Sequence, residues 1–307
     1  MEPEAPNLVI ILGPTGVGKS RTAVDLALKF RGEIINSDSI QVYRGFDIGT
    51  DKPSPEDRRA VVHHLIDTVD PGVQFTAADF VRGALAAAAD IIGRRRVPFV
   101  VGGTGLYVKA LADGLFPGPG RDPALRAALE EEAREKGLEA LFRELEEVDP
   151  AYARKVRSRD RVRIIRALEV YRLTRRPLSE HFLETASPTG GYRLVKTGLR
   201  LEREALCRRI EERVERMFER GLVDEVRGLL ARGIAEDAPP FRALGYRHVL
   251  AHLRGERSLD EAKALTKQDT RRYAKRQMTW FRKMEGVAWF SAADGPGLEQ
   301  YLQNQLQ

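Results

Sequence analysis

Gly13-Pro14-Thr15-Gly16-Val17-Gly18-Lys19-Ser20 has the spacing G-x-x-x-x-G-K-[ST] and follows an apolar run, Leu8 to Leu12. Glycines so spaced let successive backbone N–H groups converge on phosphate oxygens, and a helix opening at Lys19 adds the positive end of its dipole. Lys19 supplies a cation and Ser20 a hydroxyl for Mg²⁺. A phosphate chain is the expected ligand. Hydrolysis of a nucleotide is not implied. A second apolar run, Val97 to Val101, ends in Gly102-Gly103-Thr104-Gly105 where a P-loop hydrolase carries a Mg²⁺-binding Asp, and no Asn-Lys-x-Asp guanine signature occurs. The first carboxylate at a strand end is Asp38, in Asn36-Ser37-Asp38-Ser39-Ile40-Gln41-Val42-Tyr43. It could bind Mg²⁺, act as a general base, or cap a turn, and spacing leaves all three open.

A second chemistry lies in two basic segments. Arg154 to Arg176 holds ten basic residues against two acids, Asp160 and Glu169, and Thr270 to Met284 holds no acid at all. On a helix begun by Asp269, Tyr273, Gln277, Trp280 and Met284 share one side with Arg and Lys flanking them. Cations beside stacking aromatics suit an unstacked RNA loop better than a duplex. Either segment alone reads as an amphipathic helix under a solvated face. Two of them in a chain of net charge +6 and pI near 9.4 favour nucleic acid.

Other groups carry less. His248 and His252 stand four apart without a third ligand, and they read, like His63-His64, as packing or surface histidines. Arg208, Arg209 and Arg213 alternate with Glu211, Glu212 and Glu215, which i,i+4 pairing explains. Cys207, the single cysteine, excludes an internal disulfide and any cysteine-rich zinc site.

The elements that must position these groups alternate. Leu8–Leu12 reads as a strand, Lys19–Phe30 as a helix, Glu33–Asn36 as a strand, Ala77–Ile92 as a helix and Val97–Val101 as a strand. That order predicts an α/β fold with a parallel sheet whose ligands bind beyond the strands' carboxyl ends, where Gly13, Ser37 and Gly102 all fall. Pro117-Gly118-Pro119-Gly120 breaks the pattern, and a helical segment from Pro119 to about Ala186 follows before a return strand, Tyr192–Leu201. The expected architecture is a P-loop NTPase-like parallel sheet core, residues 1–118 and 187–307, with a small inserted helical domain, residues 119–186. A simple two-domain split near Pro117 is the alternative. At 307 residues, 42% hydrophobic and 31% charged, the chain can bury a sizeable core, and no apolar run approaches a membrane span. The acidic start, MEPEAPN, lacks the features of an export signal, so a cytoplasmic location is expected.

GPTGVGKS, INSDSIQVYRGFDIGTDKP from Ile35, HHLIDTVDP from His63, VVGGTGLYVKAL from Val100, FRALGYR from Phe241 and RRYAKRQMTWFRK from Arg271 together resemble the tRNA dimethylallyltransferases, in the family's order and over nearly the whole chain. The resemblance implies transfer of a dimethylallyl group from dimethylallyl diphosphate to the exocyclic amine of the adenosine just 3′ of the anticodon. It gives Asp38 the part of general base and Arg213 that of a diphosphate-stabilising arginine, against the ion-pair reading above. Gly13 to Ser20 match the donor site, with Thr15 and Lys19 in the catalytic group and Mg²⁺ near Ser20. The tRNA contacts map onto Asp38, Ser39, Ile40 and Gln41, onto Thr104 and Arg126, onto Val162, Arg163, Ile164, Ile165 and Arg166, and onto Arg242, Ala243, Leu244, Gly245, Tyr246 and Arg247. The implied partners are a tRNA anticodon stem-loop and dimethylallyl diphosphate, with no membrane, and the chain is expected to act as a monomer. One cysteine cannot build the zinc finger that eukaryotic relatives add, so the bacterial form is expected. Two readings from other classes compete: a P-loop small-molecule kinase with the arginine-rich insertion as lid, and a non-catalytic RNA-binding protein with a regulatory nucleotide.

Overall fold

The computed structural model describes residues 5–307. The chain divides into two compact units, one of residues up to Ala112 together with Pro188–Gln307, the other Asp113–Ser187. The insertion starts earlier than the Pro117–Gly120 breakers suggest. Phe116 packs into its core and the Gly114 backbone lies against Ala186.

In the first unit β1 (Asn7–Leu12), β2 (Gly32–Asn36), β3 (His63–His64), β4 (Val97–Gly102), β5 (Arg193–Arg200) and β6 (Val287–Ser291) form one sheet in the order β3-β2-β4-β1-β5-β6. Every pairing is parallel. Alternation along β1 divides it between two cores. Leu8, Ile10 and Leu12 pack with Phe80, Ile91 and Leu111 on one face. Val9 and Ile11 pack with Val24, Leu26 and Leu302 on the other. A strand buried on both faces reads as the unbroken apolar run seen in sequence. β4 and β5 flank β1, so the chain leaves β1 at the point where strand order reverses, the crevice in which α/β sheets bind ligands.

A third core sets the loop that follows Asp38. Val42, Tyr43 and Phe46 pack against Val214, Leu222, Phe241 and Tyr246 from the carboxyl-terminal helices. The basic aromatic helix runs Leu259–Phe281 and starts ten residues before the expected Asp269, because Ser258 and Glu261 form a capping box there. Its buried stripe is Thr266, Thr270, Ala274, Gln277 and Phe281; Met284, expected on that face, lies past its end.

The inserted unit packs the helices Pro123–Glu135, Leu138–Val148 and Arg161–Thr174 around Leu129, Leu141, Leu145, Ile164, Ile165 and Leu168. Its arginine surplus is smaller than a local count suggests. Arg161 pairs with Glu130 and Arg172 with Glu132 and Glu144, acids on neighbouring helices, and Arg166 pairs with the buried Glu169 of its own helix, so carboxylates absorb much of the field.

A buried carboxylate also ties the sheet's far edge. Glu33, fully buried on β2, accepts from Arg94 and faces His64 Nε2 at 2.7 Å. Burial pushes its carboxyl up, but the bonds and charges of Arg94 and His64 prevail and hold it below its ordinary 4.5. A depressed carboxylate contributes stability that is present above the unfolded value and lost as pH falls through the folded one. The denaturation midpoint should therefore fall as pH drops below about 4.5, and Glu33→Gln should flatten that acid limb. An identical limb in the variant would show that Glu33 contributes nothing to it.

Candidate active site

The glycines expected to cradle phosphate are needed by the backbone. Gly16 and Gly18 hold φ of 80° and 105°, a region that side chains disfavour, and Gly18 precedes the helix Lys19–Lys29. The loop opens on a cleft of about 1330 Å³ at the carboxyl ends of the strands, lined by Thr15, Lys19, Asp38, Asp51, Arg213 and Tyr273 among others. Ser20 also lines it and is exposed. Lys19 Nζ donates to Pro14 O at 2.8 Å. Burial and then the nearby Arg213 guanidinium pull its ammonium from 10.5 down to about 7, against the opposing pull of Asp38.

Asp38 stands in the turn past β2, and its carboxylate does two things. Oδ1 accepts from the N–H groups of Ile40 at 2.8 Å and Gln41 at 3.2 Å, the capping role that spacing allowed. Those bonds leave Oδ2 to the cleft that Asp38 also lines. Asn36 fixes the turn from behind: its Oδ1 accepts from Asp38 N–H, and its Nδ2 donates to Leu65 O at 3.1 Å. The phenol of Tyr273 is pushed up to about 12, by burial first and then by the Asp38 charge, so it stays protonated near the carboxylate.

Arg213, on the helix Arg203–Glu219, reaches the phosphate loop, so the ion-pair reading with its own helix does not hold for it. Nη1 donates to Thr15 Oγ1, Nε to Asp51 Oδ2 at 2.7 Å and Nη2 to Thr50 O at 3.3 Å. Arg209, one turn earlier, donates to Val17 O at 3.3 Å and lies over Gly18. Sequence reasoning missed Arg209 as a site residue, although its i,i+4 spacing from Arg213 was there to find. Asp51 and the bridging part of Gln277 were also missed. Gln277 Oε1 accepts from Thr15 N–H at 2.8 Å, and its Nε2 donates to Gly103 O at 2.7 Å.

The sheet gives a reason for the glycine at the end of β4 where a P-loop hydrolase carries an Asp. A Cβ at Gly102 would lie 2.3 Å from Ser37 Oγ and 2.7 Å from the Ser37 backbone, so no Asp fits at the end of β4. Among the described residues no group of three or more His, Cys, Asp or Glu could hold a metal. His248 instead faces Asp269 with Nε2 and Arg257 with Nδ1, which makes it a packed, bonded histidine.

The residues matched to tRNA contact separate into two sets. Ser39 and Thr104 meet, with Ser39 N–H donating to Thr104 Oγ1 at 3.1 Å, beside Asp38 and Ile40 at the cleft. Val162 and Arg163 are exposed, as are Arg242 and Arg247, while Ala243 and Leu244 are half-buried. Several side chains are not available to RNA. Ile164 and Ile165 are fully buried in the insertion core, as is Tyr246 under the carboxyl-terminal helices, and Gly245 is buried with it. Gln41 is buried and its amide donates to Thr50 O and Asp51 O. Arg126 and Arg166 bond to Glu169, and Arg166 also to the Pro119 and Gly120 carbonyls.

Comparison with known proteins agrees with this geometry. A sequence model described as IPP transferase matches residues 41–284, and one described as isopentenyl transferase matches residues 6–74. A tRNA dimethylallyltransferase of Geobacter metallireducens is 53% identical over 94% of this chain and 93% of its own. Among solved structures, a tRNA isopentenylpyrophosphate transferase from Bacillus halodurans is 40% identical, covers 99% of this chain and 97% of its own, and superposes with a TM-score of 0.73. A eukaryotic dimethylallyltransferase acting on tRNA is 29% identical over 98% of this chain and 77% of its own, with a TM-score of 0.81. With a phosphate loop, a cleft carboxylate and an arginine on one sheet edge, and with these relatives along nearly its whole length, the chain belongs to the tRNA dimethylallyltransferase family.

Proposed function

We infer that this chain transfers the dimethylallyl group of dimethylallyl diphosphate to the exocyclic N6 amine of a tRNA adenosine, the one on the 3′ side of the anticodon, and releases diphosphate. The observation that carries this reading is the meeting, in one cleft, of a phosphate loop, the carboxylate of Asp38 past the end of a strand, and Arg213 bonded to Thr15. The N6 lone pair attacks the donor's first carbon, the carbon–oxygen bond to diphosphate breaks, and the N6 proton passes to Asp38. An aromatic amine is a weak nucleophile, and removing its proton as the bond forms contributes about 10²–10⁴-fold. Loop N–H groups, Lys19 and Arg213 stabilise the charge that grows on the departing oxygens. The kinase reading is disfavoured by the packing that bars an Asp at Gly102.

Mg²⁺ is the proposed cofactor. Ser20 presents an exposed hydroxyl at the cleft and, with no group of three or more His, Cys, Asp or Glu placed to hold a metal among the described residues, suits an ion that keeps several waters and takes its other ligands from substrate phosphates. Bound there, it supplies positive charge to the diphosphate. The inserted helices, through Val162 and Arg163, and the exposed Arg242 and Arg247 are proposed to meet the anticodon stem-loop, whose target base must be turned out of its stack to reach Asp38. The phosphate loop, Asp38 and Arg213 all come from one chain, which supports action as a monomer. A cytoplasmic setting is supported by the free Cys207 and the tRNA substrate, and no helix among the described residues is long and apolar enough to cross a membrane.

Asp38→Ala should lower kcat by about 10²–10⁴-fold while tRNA affinity largely persists; near-normal product formation by nucleoside mass analysis would remove Asp38 from the role of base. Arg163→Ala should weaken tRNA binding and reduce its log–log salt slope by about 1, leaving diphosphate affinity unchanged. Because the Lys19 ammonium sits at about 7 in the open cleft, donor binding should draw in a proton at pH about 8, one unit above that value. Calorimetry of dimethylallyl diphosphate in buffers of different ionisation heat reads this uptake, and Lys19→Met should abolish it.

A further inference from the structure

The turn that meets Arg213 is held far more firmly than an exposed connection requires. Asp51 is a non-glycine residue at φ 55°, a strained conformation that persists only where the surroundings over-determine it and that clusters at functional sites. Four groups do so here. The Glu225 carboxylate accepts from the N–H groups of Asp47, Ile48 and Gly49 at 3.0, 2.7 and 3.3 Å. It also accepts from the hydroxyl of the buried Tyr246 at 2.5 Å. The Gln41 amide donates to Thr50 O and Asp51 O from the other side. The buried Lys52 ammonium donates to Tyr43 O at 2.7 Å and pairs with Asp47 and Asp67.

Toward Arg213 this framework presents one carboxylate and one carbonyl, Asp51 Oδ2 to Nε at 2.7 Å and Thr50 O to Nη2 at 3.3 Å, while Asp51 Oδ1 lies 3.5 Å from Arg220 Nη1. A guanidinium has five N–H donors in a rigid fork. With Nε–H on Asp51, one Nη2 hydrogen on Thr50 O and one Nη1 hydrogen on Thr15 Oγ1, two N–H groups remain.

We propose that Asp51 is the positioning residue of Arg213, fixing the guanidinium so that its two remaining N–H groups meet the departing diphosphate. The 46–52 turn is the rigid mount for that carboxylate. The proposal deepens the reading of Arg213 given above and rests on it. Asp51 touches no reacting atom, so its loss misaims a charge that matters most as the carbon–oxygen bond breaks. The donor's ground state is still held by the loop N–H groups and Lys19.

The test is a double-mutant cycle on the full chain, followed by kcat and KM for dimethylallyl diphosphate. Asp51→Gly removes the carboxylate and suits the positive φ, so folding is retained and the thermal midpoint should not fall. It should lower kcat about 10–100-fold, the scale on which misplacement costs rate, with KM changed less than about threefold. Asp51→Asn keeps an acceptor oxygen, tolerates the same φ, and should recover much of kcat. Arg213→Ala and the double variant with Asp51→Gly should be equally slow, because without the arginine Asp51 keeps only its longer contact with Arg220, 3.5 Å from Oδ1. Losses that multiply in the double variant, with Arg213→Ala slow by itself, overturn the role of Asp51 alone. An unchanged kcat in Arg213→Ala overturns the part given to Arg213, and the proposal with it.

Discussion

Much of the site hangs on where one side-chain amide is held. Gln277 lies in the buried stripe of the 259–281 helix and is satisfied at both ends by backbone, Thr15 N–H on one side and Gly103 O on the other. The helix can approach this far only because the β4 exit is glycine. A Cβ at Gly103 would lie 2.3 Å from the Gln277 amide, and one at Gly105 would lie 2.6 Å from Trp280. A buried amide left unpaired costs about 1–3 kcal/mol, so the three segments are fixed to one another. Thr104, between those glycines, then bonds Ser39 and sets the turn that carries Asp38.

The electrostatics of the cleft follow from that crowding. Lys19, Arg209 and Arg213 all approach the loop, and only Asp51 faces Arg213 directly. Assembled without an anion, the cations repel one another, and the group best able to shed its charge is the ammonium, since a guanidinium keeps its proton in proteins. The depressed Lys19 is the mark of this repulsion added to burial. A diphosphate offsets both causes, by placing negative charge beside the ammonium where the loop N–H groups already point. Asp38 opposes that depression, while its Oδ1 stays committed to its own turn.

Sequence carried the parts of this design that are local. The phosphate loop is a contiguous pattern, its glycines answer to their own φ, and β1 is legible because a doubly buried strand is uninterruptedly apolar. The parallel sheet followed from the order of elements. What stayed hidden depends on partners brought from afar. Which of the residues matched to RNA face a core, as Ile164, Ile165 and Tyr246 do, depends on elements packed against them, and nothing near Arg126 points to Glu169 as its partner. Spacing alone reads Arg213 as one more i,i+4 ion pair on its helix; the family resemblance gives it the diphosphate role, and only the fold brings Thr15, Thr50 and Asp51 beside it. The early start of the 259–281 helix was a local signal overlooked, since Ser258 and Glu261 stand at capping-box spacing.

The same loop serves two chemistries, and the distinction lies in its neighbours. In a hydrolase of this fold a carboxylate at the β4 end carries the metal that activates attack at phosphorus. Here Ser37 fills that space so closely that only glycine fits at 102. A carboxylate stands instead past the end of β2, where Asp38 lines the cleft. A base so placed addresses a proton on an incoming nucleophile, not a water in line with phosphorus. The loop's hydrogen bonds are then strongest on oxygens that acquire charge as carbon departs. Exchanging a carboxylate at one strand end for another, with the loop unchanged, is enough to turn a grip on a phosphate to be cleaved into a grip on a leaving group.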